Sequence, residues 1–343
     1  MGEIFVKPNV AEVDFGTAAE ADFNAACDLA LNTLIPSSIT SGSINSLIRR
    51  LQIAASCGKV YFVETTGTTG SDSNSGLSPD VPLLKIQTAL ANCTSGNHDY
   101  IFVLNAWDGD AATITVAKNT VHIIGMSCKN HSAPWPWLKI AGTGAAPVFT
   151  ITGGTMNYEI AGLALAANST NPCITFGASA GQYSSYGHIH DIAFAHSSDA
   201  AYLARDGILI PDGREANGLL VEGCTFGGQI TRSGVRIEEG GGMSYGRIIN
   251  CDFLGGGTVC IHHAQTIASS SMPDVINCRF RRAHGAAEGW AITTVNAGGG
   301  LIDGNHASAD FTTADSNPYL DINDKCQWGL NYNVITAAAP ATT

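Results

Sequence analysis

Apolar and polar residues alternate in short runs along most of this chain, and the runs recur. Val221-Glu-Gly-Cys-Thr-Phe226, Ile248-Ile-Asn-Cys-Asp-Phe253 and Ile276-Asn-Cys-Arg-Phe280 place Cys224, Cys251 and Cys278 27 residues apart, each followed two places later by Phe. One more step reaches Asn305, in Leu301-Ile-Asp-Gly-Asn-His-Ala307. Upstream, Ile189-His-Asp-Ile-Ala-Phe194 and Ile160-Ala-Gly-Leu-Ala-Leu165 carry the same alternation. Their spacings are 32 and 29 residues. Within Ile249–Phe253, residues 249, 251 and 253 share one face and 250 and 252 the other, which is the period of a β-strand. A second strand is predicted after each first one, at Gly207–Ile210, Val235–Ile237 and Val259–Ile261. Gly227-Gly228 and Gly255-Gly256-Gly257 punctuate between them, where the chain must turn.

A period of 24 to 32 residues with short strands predicts a solenoid. No single coil can bury its own apolar face, and stacking makes one continuous core. Val60-Tyr-Phe-Val, the loop Gly70-Ser-Asp-Ser-Asn-Ser-Gly76 and Pro82-Leu-Leu-Lys-Ile-Gln-Thr-Ala-Leu90 read as strand, turn, proline and short helix. Together these features resemble the right-handed parallel β-helix of the pectate-lyase-like superfamily over about residues 60 to 336, with that helix capping the first coil. The fold class expected is all-β, a parallel β-helix with a small α-helical amino-terminal segment. The resemblance is specific for fold and says little about function, because β-helices host lyases, hydrolases and inert fibres alike.

Residues 1–58 do not follow the repeat. Ala18–Leu31 and Ser41–Ala55 read as helices, the second with Ile44, Leu47, Ile48 and Leu51 at helical spacing. The expected organisation is a cap, attachment or oligomerisation segment over 1–58, the β-helix over 59–336 and a tail over 337–343. A small head on a β-helix is similar to bacteriophage spikes and fibres. That resemblance implies a homotrimer, other virion proteins bound through 1–58, a host surface polysaccharide as a further partner, and assembly in the host cytoplasm.

Composition narrows the choice of partner. With 29 acidic and 17 basic residues the net charge is −12, which disfavours nucleic acid and anionic membranes. No apolar run approaches the ~18 residues of a membrane span. The first residues lack the basic flank and apolar core of an export signal. Ten cysteines would suggest disulfides in a secreted chain. Here Cys224, Cys251 and Cys278 alternate onto the face of Ile and Phe, so they read as buried, reduced thiols that mark the register. No CxxC is present, and neither a metal site nor a cofactor is predicted.

Candidate chemistry follows from stacking. If Ile237 lies under Ile261, Glu238 falls beside His262 and Glu239 beside His263, with Asp212 one coil earlier. Asp212, Glu239 and His263 would then form an outward column at about 4.8 Å per step. Paired carboxylates could hydrolyse a glycoside, with histidine as base. The competing reading is a solvated polar corner. A second column, Thr225, Asp252, Arg279 and His306, predicts a structural cross-coil salt bridge. Asn250 and Asn277 are expected to form an amide ladder along the coil axis. Asp72 and Asn74 could offer oxygens to a cation, but their loop reads as a turn. Trp135 and Trp137, flanked by prolines, are expected on a loop outside the coil and Tyr183 and Tyr186 on another inserted loop, and all four are candidates for stacking on sugars. The leading expectation is a non-enzymatic virion β-helix. The alternatives are a polysaccharide-cleaving tailspike, lyase or hydrolase, and a bacterial surface or secreted carbohydrate-active protein.

Overall fold

A computed structural model describes residues 58–65, 69–105, 113–126, 137–139, 146–177, 183–196, 202–254, 257, 259–264, 272–281, 290–295, 299–308, 319–321 and 326–333. The two helices expected between 18 and 55 lie outside the described residues. The chain divides into two compact units, Met1–Ser56 and Cys57–Thr343. The second unit is a parallel β-helix. Among the described residues every strand pairing along its three long sheets is parallel, and each coil visits the sheets in turn. Sheet A has ten strands, from Val60–Glu64 to Gln327–Trp328. Sheets B and C have eight each.

The alternation in the sequence sets the core. In sheet A, Ile101, Ile123, Ile160, Ile189, Val221, Ile248, Val275 and Ile302 stack in register and point inward. In sheet C the row is Leu165, Phe194, Phe226, Phe253, Phe280 and Ala307. The four phenyl rings are nearly parallel, with centroids 4.7, 4.4 and 4.9 Å apart. Each fully buried apolar side chain contributes about 1.5–3 kcal/mol, so the rows dominate stability. A short helix, Ile86–Asn92, covers the first coils with Ile86, Ala89 and Leu90, one face of a helical turn.

The corner between sheets A and C refines the strand expected over Ile249–Phe253. The chain forms two strands, Arg247–Ile249 and Asp252–Phe253, broken at Asn250. Asn250 has φ 55°, and its stacked equivalents Gly162, Asp191, Gly223, Asn277 and Gly304 lie between 53° and 67°. A left-handed residue flips the parity, so Ile248 points inward, Ile249 outward and Cys251 inward again. This column is rich in Gly, Asn and Asp, the residues that tolerate the left-handed region best.

The amide ladder therefore sits elsewhere. Asn250 and Asn277 turn the chain at an exposed corner. Asn305 and Asn331 continue the buried cysteine column instead. Asn305 Nδ2 donates to Val275 O at 2.9 Å and to Asn331 Oδ1 at 2.9 Å, and Asn305 Oδ1 accepts from Cys278 N–H at 2.8 Å. Cys251 and Cys278 make the weaker equivalent, with Sγ 3.8 and 3.6 Å from the carbonyls of Val221 and Ile248 in the preceding coil. None of the seven described cysteines forms a disulfide, and all are buried.

Candidate functional site

Sheet B carries the longest described strand, Ile230–Ile237, between Ala204–Ile210 and Val259–Ala264. Their outward residues converge on one polar cluster. Leu209, Arg236, His262 and Thr293 stack as a column. Toward the start of the same strands, the register shifts between Ala204 and Asp206. That irregularity lets the Asp206 carboxylate, itself fully buried, meet guanidinium groups from two coils.

Asp206 is saturated. Arg232 Nε donates to Oδ1 at 2.8 Å, Arg232 Nη2 to Oδ2 at 2.6 Å, and Arg205 Nε to Oδ2 at 3.0 Å. Arg232 Nη1 also donates to Glu238 Oε1 at 3.2 Å, and Arg236 Nε lies 3.6 Å from the same oxygen. Burial works against the charge of Arg232, but Asp206 and Glu238 outweigh it and raise its pKa. Arg236 is lowered by burial and by Arg232. His262 is pushed down to about 4, first by burial and then by Arg236 and Arg232. At neutral pH the site is an uncharged imidazole beside two partly exposed guanidiniums.

The expected column of Asp212, Glu239 and His263 breaks at His263, while Asp212 and Glu239 each follow two residues after the paired Ile210 and Ile237. Val235, not Ile237, pairs with Ile261, so Arg236 faces His262 and Ile237 faces His263. A shift of two residues preserves every inward and outward assignment, so alternation alone could not separate the two registers. The strand instead runs on past Ile261 to Ala264, so His263 keeps the inward parity of Ile261 and is a fully buried ring, not an outward one. Asp212 and Glu239 occupy exposed turns. Of the five candidates, only Glu238 and His262 reach the sheet-B cluster, and Glu238 is held by two arginines. Sequence reasoning missed Asp206, Arg232 and Arg236. Their signal, charged residues inside otherwise apolar strands, was present at Arg205-Asp206 and Arg232.

The other assignments are mixed. Thr225, Asp252, Arg279 and His306 stack as expected, and Arg279 grips Asp252 with Nε–Oδ1 2.7 Å and Nη2–Oδ2 3.0 Å. Asp72 accepts the Lys85 backbone N–H at 3.1 Å, and Asn74 Nδ2 donates to Pro82 O at 2.8 Å, the bonds of a structural turn. Trp135 lies outside the described residues, as does the side chain of Trp137. The Trp137 backbone begins a sheet-C strand opposite Ala164, where a loop was expected.

Tyr183 and Tyr186 are exposed, and Tyr183–Ser185 forms a short strand against Glu215–Asn217 instead of the loop expected there. Tyr186 belongs to a second left-handed column just before sheet A: His98, Thr120, Asn157, Tyr186, Gly218 and Tyr245, with φ between 54° and 64°. The Tyr186 ring lies over Gly218, where an added Cβ would come within 2.7 Å of it. Tyr245, unremarked in the sequence, is 93% exposed.

No protein-family model and no curated protein sequence matches the chain. Solved structures do. An alginate lyase from a Paenibacillus species is similar at 15% identity and TM-score 0.48, over 73% of this chain and 92% of that one. The ORF18 protein of Geobacillus virus E2 is similar at 12% identity and TM-score 0.44, over 87% of this chain and 64% of that one. The Dettilon tailspike protein is similar at 14% identity and TM-score 0.32, over 89% and 67%. The likeness is one of fold. Its members combine lyase and phage proteins on the same scaffold, so function has to be argued from the surface of this chain.

Proposed function

We propose that the chain is a non-enzymatic β-helix of a bacteriophage particle, a trimeric spike, fibre or capsid decoration that contacts host surface glycan. The observation that carries glycan contact is the tyrosine corner. Tyr186 and Tyr245 stand exposed at positive φ, where Gly or Asn would be accommodated at lower cost. Two coils separate them, about 10 Å, and a flat ring at each position offers a face to a sugar. The carboxylates of sheet B support the absence of cleavage: Asp206 and Glu238 are both engaged by arginines. Unbridged, buried cysteines agree with folding in a reducing cytoplasm.

The test is incubation with host capsule or lipopolysaccharide, with binding and product release measured together. Binding without new reducing ends or unsaturated uronates is expected. Tyr186→Ala with Tyr245→Gly should abolish binding without lowering thermal stability. Sustained product release overturns the structural reading. A second reading, a polysaccharide lyase acting at the outward face of sheet B, is favoured by Arg236 beside an uncharged His262. Product release lost in His262→Ala would establish it.

A further inference from the structure

Sheet A carries a separate cluster on its outward face. Side-chain alternation puts His188 and His190 on the same side of one strand. The parallel register sets Glu159 beside His188 in one neighbouring coil and Glu222 beside His190 in the other. Glu159 accepts hydrogen bonds from both directions: His122 Nδ1 lies 2.6 Å from Oε2, and His190 Nε2 lies 2.7 Å from Oε1. Asp191 Oδ2 is 3.1 Å from His190 Nδ1, and Glu222 Oε2 is 3.4 Å from His188 Nε2. The two imidazole centroids are 4.2 Å apart. One ligand atom from each of Glu159, His188 and His190 lies within 4.8 Å of the other two.

We propose that Glu159, His188 and His190 bind a divalent transition-metal ion of the zinc type, tying consecutive coils together. Two imidazoles and one carboxylate are the donor set that zinc takes with an open fourth position. Calcium and magnesium prefer all-oxygen shells. Zinc–nitrogen and zinc–oxygen bonds of about 2.0–2.2 Å place tetrahedral ligand atoms roughly 3.4 Å apart. The cluster therefore closes by side-chain rotations on the order of 1 Å, with the backbone register unchanged. Its outer shell is already in place. Asp191 holds Nδ1 of His190, which aims Nε2 at the ion, and His122 holds the second oxygen of Glu159. Glu222, beside His188, is placed to supply the fourth ligand.

The site lies on a different sheet from the arginine cluster and does not depend on the glycan reading. The test uses the tag-free full-length protein, stripped with a chelator and titrated with zinc chloride by calorimetry and with cobalt chloride by visible absorption. One ion per chain is expected, with a cobalt spectrum lacking thiolate charge transfer. His188→Gln and Glu159→Gln should each weaken zinc binding by at least about tenfold, and zinc should raise the melting temperature of the wild type but not of these two variants. His306→Ala, an exposed histidine of sheet C, should bind zinc as the wild type does. The proposal is overturned if the wild type takes up no zinc, if a thiolate band appears, or if His188→Gln binds normally. His188 is half exposed, so that variant decides the matter even should Glu159→Gln fail to fold.

Discussion

His263 makes stability fall in acid. Its ring is fully buried in the inward row of sheet B, between Ile237 and Thr294. Burial, with His262 as the next cause, pushes its pKa from 6.5 down to about 4. The folded state thus favours the neutral ring, while the unfolded chain binds a proton below its ordinary pKa. Above about pH 6.5 the two states hold the same charge and nothing is lost. As pH falls from there toward 4, the unfolded state gains protons that the folded state refuses, and stability declines. A shift of about 2.5 units corresponds to about 3 kcal/mol in total, of which about 2 kcal/mol is lost by pH 5. The assay is urea unfolding followed by circular dichroism at steps between pH 7 and pH 4, comparing wild type with His263→Leu. Leucine keeps the volume and removes the titration, so the variant should flatten this limb by about that amount. An equally steep acid limb in His263→Leu would refute the assignment.

Four further outcomes follow from the same packing. Phe253→Ala removes the middle ring of the four-ring stack and should cost about 3–5 kcal/mol in urea unfolding, more than Phe253→Leu, which keeps most of the volume. Asp206→Ala leaves the Arg232 guanidinium without its buried partner and should cost about 3–5 kcal/mol. Asp252→Ala, at a pair whose arginine is 62% exposed, should cost about 0.2–1 kcal/mol and respond to salt. Asn305→Ala leaves the Cys278 N–H and the Val275 carbonyl unpaired and should cost about 1–3 kcal/mol per group, visible as a lower thermal midpoint.

The solenoid was legible because its repeat is written in residues that do one thing. Phenylalanine every 27 residues can only be a stacked inward row, and the cysteine two places earlier follows it. The capping helix, the turn at Asp72 and Asn74 and the Asp252–Arg279 bridge were legible for the same reason, since each is local or one constant step away. The amide ladder was misplaced because Asn250 and Asn305 are alike as letters. One turns the chain at φ 55°, and the other fills a buried slot.

Within each strand, though not across the left-handed corner at Asn250, sequence by itself determined which residues face the core, since that depends only on the period of two. It could not determine which outward residues become neighbours. A slip of two residues keeps every apolar side chain buried, and its cost is decided by packing across coils. Coil lengths also vary, with 37 residues from His122 to Glu159, 29 to His188 and 32 to Leu220. The tertiary structure alone therefore brought Arg232 to Asp206 and gathered Glu159, His188 and His190 on one face.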